Sequence, residues 1–399
     1  PARRQRLPAP NPSIPMPSTR PTPAIAALII LLALPACAPR YPGRRVATSG
    51  RDTGDCLARP CRTIGYAVRQ AKAGDTVSVD SGTYREAVTV AKRLTLVGHH
   101  ATVDAAGQSS PANGFFIRGA GAAGTSVSGF TVRNAGLEGI FLLRTSNVTI
   151  EHDTVVGNDA YGTSNPLCTR HQSDCGEAIH LQTVTGSSVR ANEVRGNLGG
   201  VLLTDEDGPT HDNVIADNAV IDNAKDCGVT LASHWLDTTS RRPAGPEIAG
   251  VYKNTVVHNT VSGSGGVGIG IFASGPGAAS WGNVVEGNTV TRSVMSGLAI
   301  HSHTPAQNVD GNILRNNVLA DNGIDVENPE DKGPTGISLF SAAVPIRGTV
   351  ITGNRISRQR LGIVAVRADS IPNLASNPMD STVAQRTVLL HPGSGKTSH

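Results

Sequence analysis

The chain has 399 residues, of which 45 are glycine and only 3% are aromatic. A single hydrophobic core seldom grows to this length, so the chain holds either several domains or a solenoid whose repeats contact only their neighbours. The formal net charge of +4 gives no evidence for a nucleic-acid partner, because its excess comes from Arg3, Arg4, Arg6 and Arg20, all before Cys37.

Residues 1–37 are predicted to be a leader. Their apolar run, residues 24–34, is too short to span a bilayer comfortably and is typical of the core of a signal peptide. The run ends in Leu34-Pro35-Ala36-Cys37, which resembles a bacterial lipobox and would make Cys37 the lipidated N-terminus. Ordinary cleavage after Ala38 is the alternative. Both predict an exported protein that is either secreted or held at a membrane only through a lipid on Cys37.

Residues 38–50 are interpreted as a linker and residues 51–98 as an N-terminal capping segment. Residues 60–74 are expected to contain a helix, because apolar residues recur there at helical spacing and Gly74 suits a helix C-terminus. Such a helix would cover the open end of a solenoid, where exposed strand edges invite aggregation. The apolar stripe consists of Ile64, Ala67, Val68 and Ala71.

Residues 99–367 repeat two short signatures. The first is a small residue followed by an aliphatic residue, any residue, and a second aliphatic residue. The alternation places one face of a strand inward, and glycine allows a bend between strands. This signature begins at Gly139, Ala178, Gly200, Gly228, Gly268, Gly297, Gly336 and Gly362.

The second signature is aliphatic-x-x-Asn-x-aliphatic. Asparagine tolerates left-handed turn geometry, and its amide can bond backbone groups of the next coil. Stacked about 4.8 Å apart, such residues would form a buried ladder. Gly129 and Asp153 are predicted to hold the same place in earlier coils. The ladder residues are Asn192, Asn218, Asn259, Asn288, Asn317 and Asn354.

These signatures resemble the parallel β-helix repeat of the pectate-lyase-like superfamily over roughly residues 76–367. The repeat is also similar to those of alginate epimerases and of the NosD-type accessory protein of nitrous oxide reductase. The resemblance implies an all-β fold, a right-handed parallel β-helix solenoid with an N-terminal capping helix. It leaves function open, because these proteins share a scaffold more than a chemistry.

Equivalent positions in successive coils predict a groove where the outward-facing strands end. Glu206, His234 and His303 fall at one offset after the first signature, in coils about 4.8 Å apart. A carboxylate beside imidazoles can tune a proton acceptor. These three residues, with Asp205 and Asp226, are therefore the candidate catalytic residues. Glu206 or Asp205 with Asp226 could alternatively form the carboxyl pair of a hydrolase. A solvated acidic turn and structural histidines are the plainer alternative.

Other residues near this groove are candidates for binding a substrate or an ion. The proposed substrate-binding residues are His180, His301, Trp235 and Lys225. Polysaccharide lyases of related folds often use Ca²⁺ to neutralise a uronate, so the resemblance implies Ca²⁺ as a possible cofactor, with Asp205 and Asp207 as its oxygen ligands. The His-x-His spacing of His301 and His303 would also let both rings bind one metal ion.

Export permits disulfides, and two close cysteine pairs predict Cys56–Cys61 and Cys168–Cys175. Cys227 is left over and is interpreted as a buried thiol. Residues 368–399 lose the repeat and are expected to form a C-terminal cap and a disordered tail.

The function predicted for this monomer is to bind, and to cleave or epimerise, an extended polysaccharide along one face of the solenoid. As an enzyme it would be a lyase, a C5-epimerase or a glycoside hydrolase. The alternatives are a non-catalytic surface binding or scaffold protein, and a NosD-type accessory protein of a metal enzyme.

Overall fold

The computed structural model describes residues 43–108, 112–158, 176–368 and 374–390. Parallel strands wind through them in successive coils and stack into three columns, here called columns I, II and III. Columns I and II join into one sheet, because two long strands, Thr95–Asp104 and Ser126–Arg133, run through both. The predicted parallel β-helix is confirmed.

The strand bounds are as follows. Column I contains β1 (Arg44–Val46), β2 (Thr76–Val79), β5 (Thr95–Asp104), β7 (Ser126–Arg133), β9 (Thr149–Glu151), β12 (Ser188–Arg190), β16 (Val214–Ala216), β20 (Thr255–Val257), β24 (Val284–Glu286), β27 (Ile313–Arg315) and β30 (Val350–Thr352). Column II contains β3 (Gly82–Tyr84), β10 (Thr154–Val156), β13 (Glu193–Arg195), β17 (Ala219–Ile221), β21 (Thr260–Ser262), β25 (Thr289–Thr291), β28 (Val318–Ala320) and β31 (Arg355–Ser357). Column III contains β4 (Val88–Val90), β6 (Phe115–Arg118), β8 (Ile140–Ser146), β11 (Glu177–Thr185), β14 (Gly199–Thr204), β18 (Val229–Ser233), β22 (Ile269–Ala273), β26 (Leu298–Ser302), β29 (Thr335–Ser341), β32 (Leu361–Val366) and β33 (Gln385–Leu390). The two-residue strands β15 (Thr210–His211), β19 (Val251–Tyr252) and β23 (Ser280–Trp281) continue from the end of β11.

The core of the solenoid is a stack of aliphatic side chains from all three columns. In column III, Leu181, Leu203 and Leu231 pair in register, and each is fully buried. Burying one such side chain stabilises the fold by about 1.5–3 kcal/mol. The alternation read from the first signature therefore places its aliphatic residues inward.

The glycine that opens the first signature allows close contact between coils. A Cβ on Gly200 would lie 1.9 Å from the carbonyl oxygen of Gly228, and a Cβ on Gly228 would lie 2.6 Å from that of Gly268. None of these three glycines adopts a left-handed φ. Glycine is therefore not needed here for the predicted bend between strands. It is needed because the backbones of neighbouring coils lie too close together for a Cβ atom.

The asparagines of the second signature form a buried column. Asn218 donates from its backbone N–H and from Nδ2 to Oδ1 of Asn259, both at 2.9 Å, and from Nδ2 to the Val189 carbonyl. The left-handed φ falls one residue earlier than expected, for example on Asp217 at 57°. The same pattern links Asn192, Asn218, Asn259, Asn288, Asn317 and Asn354, and continues to Asn377.

At the N-terminal end of this column the expectation for Gly129 is wrong by one residue. Phe130, not Gly129, donates its N–H to Oδ1 of Asp153 at 2.8 Å. Asp153 in turn donates its N–H to Oδ1 of Asn192. Asp153 therefore stands where later coils have asparagine.

Helix α1 (Ile64–Gln70) packs against β1, β2 and β4 through Ile64, Ala67 and Val68. The Thr63 hydroxyl accepts from the Tyr66 N–H, and the Glu86 carboxylate accepts from two further N–H groups of the first turn. These contacts satisfy donors that a helix start leaves without intrahelical partners. The helix ends before Ala71, earlier than the predicted cap at Gly74.

The predicted disulfide Cys56–Cys61 is present. The predicted pair Cys168–Cys175, the leader with Cys37 and the tail after Leu390 lie outside the described residues. Across the described ranges, no helix combines the length and apolar character needed to cross a membrane.

Candidate functional site

A cavity of about 340 Å³ opens on the outer face of column III. Its lining comes from β11, β14, β18 and β22, and from residues that flank β18, β22 and β26. We call it the outer cavity. The polar lining residues are Glu177, Asp226, Thr230, His234, Ser274, His303 and Glu327, and the larger apolar ones include Leu202, Phe272 and Met295.

The structure brings the predicted residues Glu206 and His234 together. His234 Nδ1 lies 2.9 Å from Glu206 Oε1, and the His234 side chain is 18% exposed. His303 lies two coils further along, because the preceding residues Ser233, Ala273 and Ser302 pair in register. His234 and His303 both line the outer cavity, whereas Glu206 lies behind His234 and is not among the lining residues.

Asp205 holds the turn that carries His234. Its carboxylate is fully buried and accepts from the Ser233 hydroxyl at 2.7 Å and from the N–H groups of His234, Trp235 and Gly250 at 2.7, 3.1 and 2.6 Å. Burial, opposed by the bonds from Ser233 and His234, raises the pKa of Asp205 to about 6. With both oxygens occupied inside the protein, Asp205 is a poor candidate for the predicted catalytic and calcium-binding roles.

The contacts of Asp207 also argue against the predicted calcium site. Its carboxylate forms an ion pair with Arg144 at 2.6 Å and accepts from Gln182 Nε2 at 2.9 Å. A carboxylate already paired with a guanidinium gains less from a cation, and its predicted partner Asp205 is buried. The Asp205–Asp207 turn is therefore held by protein contacts.

Two further carboxyl groups, those of Glu177 and Asp226, line the outer cavity. A Cβ placed on Gly199 would lie 3.2 Å from Glu177 Oε1 and 3.1 Å from Asp226 Cβ, so both side chains flank this glycine. Glu177 is buried and Asp226 is exposed. Asp226 thus has a carboxyl group beside it, that of Glu177, which the sequence did not predict. Lys225 is exposed and does not line the cavity.

His180 faces outward, as expected, but is only 2% exposed. Its Nε2 lies 2.9 Å from the Thr204 hydroxyl, its Nδ1 lies 3.6 Å from Glu138 Oε1, and its ring stacks on Phe141. This environment gives His180 a structural role and little access to a ligand.

His301 belongs to a cluster beside His303. His301 is fully buried, with Nε2 2.8 Å from Asp325 Oδ2 and Nδ1 3.0 Å from Glu327 Oε2. Burial opposes its charge, but the two carboxylates dominate and raise the pKa of His301 to about 9. Burial and the neighbouring His301 lower the pKa of His303, whose Nε2 lies 3.5 Å from Glu327 Oε2.

Trp235 lines a separate cavity of about 440 Å³, formed by its own loop with Asp237, Arg242 and Glu247. The prediction that Trp235 shares a groove with His234 is therefore not supported by this geometry.

Cys227 lines the outer cavity. Burial and the neighbouring Asp226 raise the pKa of the Cys227 thiol well above its ordinary value, which makes it a poor nucleophile.

Sequence reasoning missed Glu177, Asp325 and Glu327. Glu177 stands directly before a first signature, and Glu138 holds the same place one coil earlier, so comparing that position across coils could have found it. Asp325 and Glu327 lie in the long excursion between β28 and β29, where no repeat fixes the position of a side chain.

The family described as right-handed β-helix region matches residues 108–279. No curated protein matches the chain significantly. Among solved structures, the chain is similar to an alginate lyase from Paenibacillus sp. str. FPU-7 (TM-score 0.46, 13% identity, covering 85% of this chain and 99% of that one). It is also similar to PfbA, a surface adhesin of Streptococcus pneumoniae (0.48, 14%, 83% and 91%), and to pectate lyase Pel9A (0.45, 13%, 85% and 78%). The family match agrees with the right-handed sense predicted for the coils.

Proposed function

We propose that this chain, a right-handed parallel β-helix protein, binds an extended polysaccharide in the outer cavity and hydrolyses its glycosidic bonds. The observation that carries the proposal is the cavity itself, in which Glu177, Asp226 and His234 lie with apolar side chains such as Leu202 and Phe272. A concave site that combines apolar surface with several polar groups is suited to a sugar, whose ring has apolar faces and polar hydroxyls.

The shape of the cavity favours a chain-like ligand. Its lining comes from successive coils, and coils stack about 4.8 Å apart, which is close to the length of one sugar unit. Leu202 and Phe272 offer apolar surface to the face of a sugar ring, while Thr230 and Ser274 offer hydroxyls. One polymer could therefore repeat its contacts from coil to coil.

The charge of the cavity favours a neutral polysaccharide. Glu177, Asp226 and Glu327 contribute carboxylates, and the described lining includes neither lysine nor arginine. A uronate would be repelled unless a bound cation neutralised it. Neutral sugars, by contrast, can donate their hydroxyl hydrogens to these oxygens.

Hydrolysis needs one group to protonate the leaving oxygen and another to activate water. We assign proton donation to the buried Glu177 and activation of water to the exposed Asp226, which both lie beside Gly199 and line the cavity. His234, held by Glu206, is assigned to binding a sugar hydroxyl.

A second reaction is favoured by one specific contact. The 2.9 Å contact between His234 and Glu206 is the arrangement of an oriented general base. On an acidic polysaccharide, His234 could remove the proton beside a uronate carboxylate, which leads to β-elimination or epimerisation. This reaction would require a cation, with Ca²⁺ as one candidate, near the sugar carboxylate.

The test is to incubate the purified protein with a panel of neutral and acidic polysaccharides, with and without Ca²⁺. New reducing ends would report hydrolysis, and ultraviolet absorbance of an unsaturated product would report β-elimination. We expect the unaltered protein to release reducing ends from a neutral polysaccharide. The Glu177→Gln and Asp226→Asn variants should release them more slowly by about 10²-fold or more.

Matched controls are available on other surfaces of the same coils. Asp217→Asn and His258→Ala change side chains that are 65% and 66% exposed and lie outside the cavity. Both should leave activity unchanged. Unsaturated products lost in His234→Ala would support the second reaction instead. Binding without any product would favour the non-catalytic alternative, and the absence of both binding and product would contradict the proposal.

We also propose that the protein is exported. The disulfide Cys56–Cys61 supports this, because disulfides persist in oxidising compartments. Mass spectrometry of the mature N-terminus would distinguish a lipid-modified Cys37 from cleavage after Ala38, and an uncleaved leader would contradict export.

A further inference from the structure

We propose that His301, His303 and Glu327 bind one divalent metal ion of the zinc class. One ligand atom from each of these side chains lies within 4.8 Å of the other two. Glu327 Oε2 occupies the middle, 3.0 Å from His301 Nδ1 and 3.5 Å from His303 Nε2. Two imidazoles and one carboxylate are a ligand set that zinc accepts.

The spacing fits tetrahedral coordination. With metal–ligand bonds of about 2.0–2.1 Å, two ligand atoms of a tetrahedron lie about 3.3 Å apart. The two distances to Glu327 Oε2 fall on either side of this value, and the ligand atoms of the two histidines lie within 4.8 Å of each other. His303 and Glu327 have side chains that are 35% and 51% exposed, so both can shift by the small distance that closure needs.

The buried ligand is already oriented by a second carboxylate. Asp325 Oδ2 accepts from His301 Nε2 at 2.8 Å, and both side chains are fully buried. Metal-binding histidines commonly donate their other ring nitrogen to a carboxylate, which fixes the ring and its tautomer. His301 Nδ1 is thereby directed toward Glu327 and His303. Asp325 is a positioning residue in this arrangement.

The loop that carries the two carboxylates is itself held in place. Asp331 accepts from the Asp325 N–H at 2.9 Å and from the Thr335 hydroxyl at 2.6 Å. Asn328 Nδ2 donates to the Ser338 hydroxyl on β29 at 3.0 Å. Buried bonds therefore hold the loop on both sides of Glu327, as expected of a site whose geometry exists before its ligand binds.

Three protein ligands leave one tetrahedral position open. His303 and Glu327 line the outer cavity, so a metal ion held by them would lie at its edge. The metal site rests on its own geometry and does not depend on the proposed hydrolysis of a polysaccharide. A metal there would nevertheless supply the cation that an acidic substrate requires.

The test uses the full chain, without a polyhistidine tag, after removal of bound metal with a chelator. Zinc is titrated by calorimetry, and Co²⁺ is titrated by visible absorption. We expect uptake of one equivalent and the intense visible band of tetrahedral Co²⁺. His303→Ala and Glu327→Gln should abolish uptake at this site, and Asp325→Asn should weaken it by about 10–100-fold.

Glu330→Gln is the matched control, since Glu330 is an exposed carboxylate of the same loop and is not one of the three ligands. It should bind zinc like the unaltered protein. Circular dichroism and melting temperature verify that each variant is folded. Zinc uptake that persists in both His303→Ala and Glu327→Gln would overturn the proposal, as would the absence of saturable uptake or a purely octahedral Co²⁺ spectrum.

Discussion

The turn between columns I and II and the outer end of column III follow opposite sequence rules. At the turn, consecutive coils repeat one residue, and Asn218, Asn259 and Asn288 are all buried with the same set of bonds. At the end of column III the equivalent residue changes with every coil. Those residues are Glu206, His234, Ser274 and His303.

The difference reflects what each position must do. Every coil presents the same backbone donors and acceptors at the turn, so one side chain that satisfies them is needed each time. The outer end faces solvent and a cavity, where no such demand repeats. Repetition therefore marks a structural requirement, and a break in repetition marks strain or function. The following substitutions test this rule.

The largest effect is expected inside the ladder, from Asn259→Ala. Asn259 accepts two bonds from Asn218 and donates to Asn288 Oδ1 and the Ile215 carbonyl. The substitution leaves several buried polar groups without a partner, and we expect a loss of about 2–4 kcal/mol in the free energy of unfolding. Thr260→Ala, at the exposed neighbouring position, should change it by less than about 0.5 kcal/mol. Similar urea midpoints for the two variants would contradict the rule.

The opposite sign is expected from Asp153→Asn, which restores the repeat. Asp153 is buried, and its Oδ2 has no hydrogen-bond partner within the described segments. In later coils the equivalent Nδ2 donates to the next asparagine and to a carbonyl. Burial, despite a bond from Phe130, raises the pKa of Asp153 from 3.8 to about 8. The substitution should stabilise the protein by about 1–3 kcal/mol at pH 8.

The pH dependence distinguishes this explanation from a simple packing effect. Between about pH 4 and pH 8 the folded protein keeps a proton on Asp153 that the unfolded chain releases, so stability falls as the pH rises. The advantage of the Asp153→Asn variant should therefore grow from pH 5 to pH 8 in thermal unfolding. Asp217→Asn, an exposed change beside the ladder, should show no such growth. An advantage that is the same at both pH values would disprove the account.

The same rule explains how far the sequence could predict the molecule. Repeated signatures predicted the coils, the inward aliphatic residues and the asparagine column, because repetition shows directly which position every coil needs. The contact between Glu206 and His234 also followed from a shared offset.

Other parts of the candidate site could not be predicted in this way. Asp325 and Glu327 lie in an excursion outside the repeat, and only the folded loop brings them to His301. Asp205 misled the prediction, since an acidic turn next to a strand gives no sign that four donors will surround one carboxylate. Burial of His180 likewise depends on neighbours that lie in other coils.

The smallest effect is expected from Asp205→Asn, because the equivalent turn two coils further along is held by the side-chain amide of Gln307. Gln307 Oε1 accepts from the Ser302 hydroxyl and from the N–H groups of His303 and Thr304 at 2.8, 2.6 and 2.9 Å. Asp205 accepts the same three bonds around His234, two coils earlier. An amide at position 205 keeps an acceptor for that turn.

With the amide oxygen of the Asp205→Asn variant at the Oδ1 position, two donors that now bond Oδ2, the Ser233 hydroxyl at 2.7 Å and the Gly250 N–H at 2.6 Å, would face an amide NH₂ group. The hydroxyl can rotate to accept from that group, whereas the Gly250 N–H cannot. We therefore expect a loss of about 1–2 kcal/mol in the free energy of unfolding, measured by urea denaturation beside the Asn259→Ala variant. A loss as large as that of Asn259→Ala would mean that the turn needs a carboxylate. The turns that carry His234 and His303 would then differ in how they are held, and the outer end of column III would vary in its structural support as well as in its chemistry.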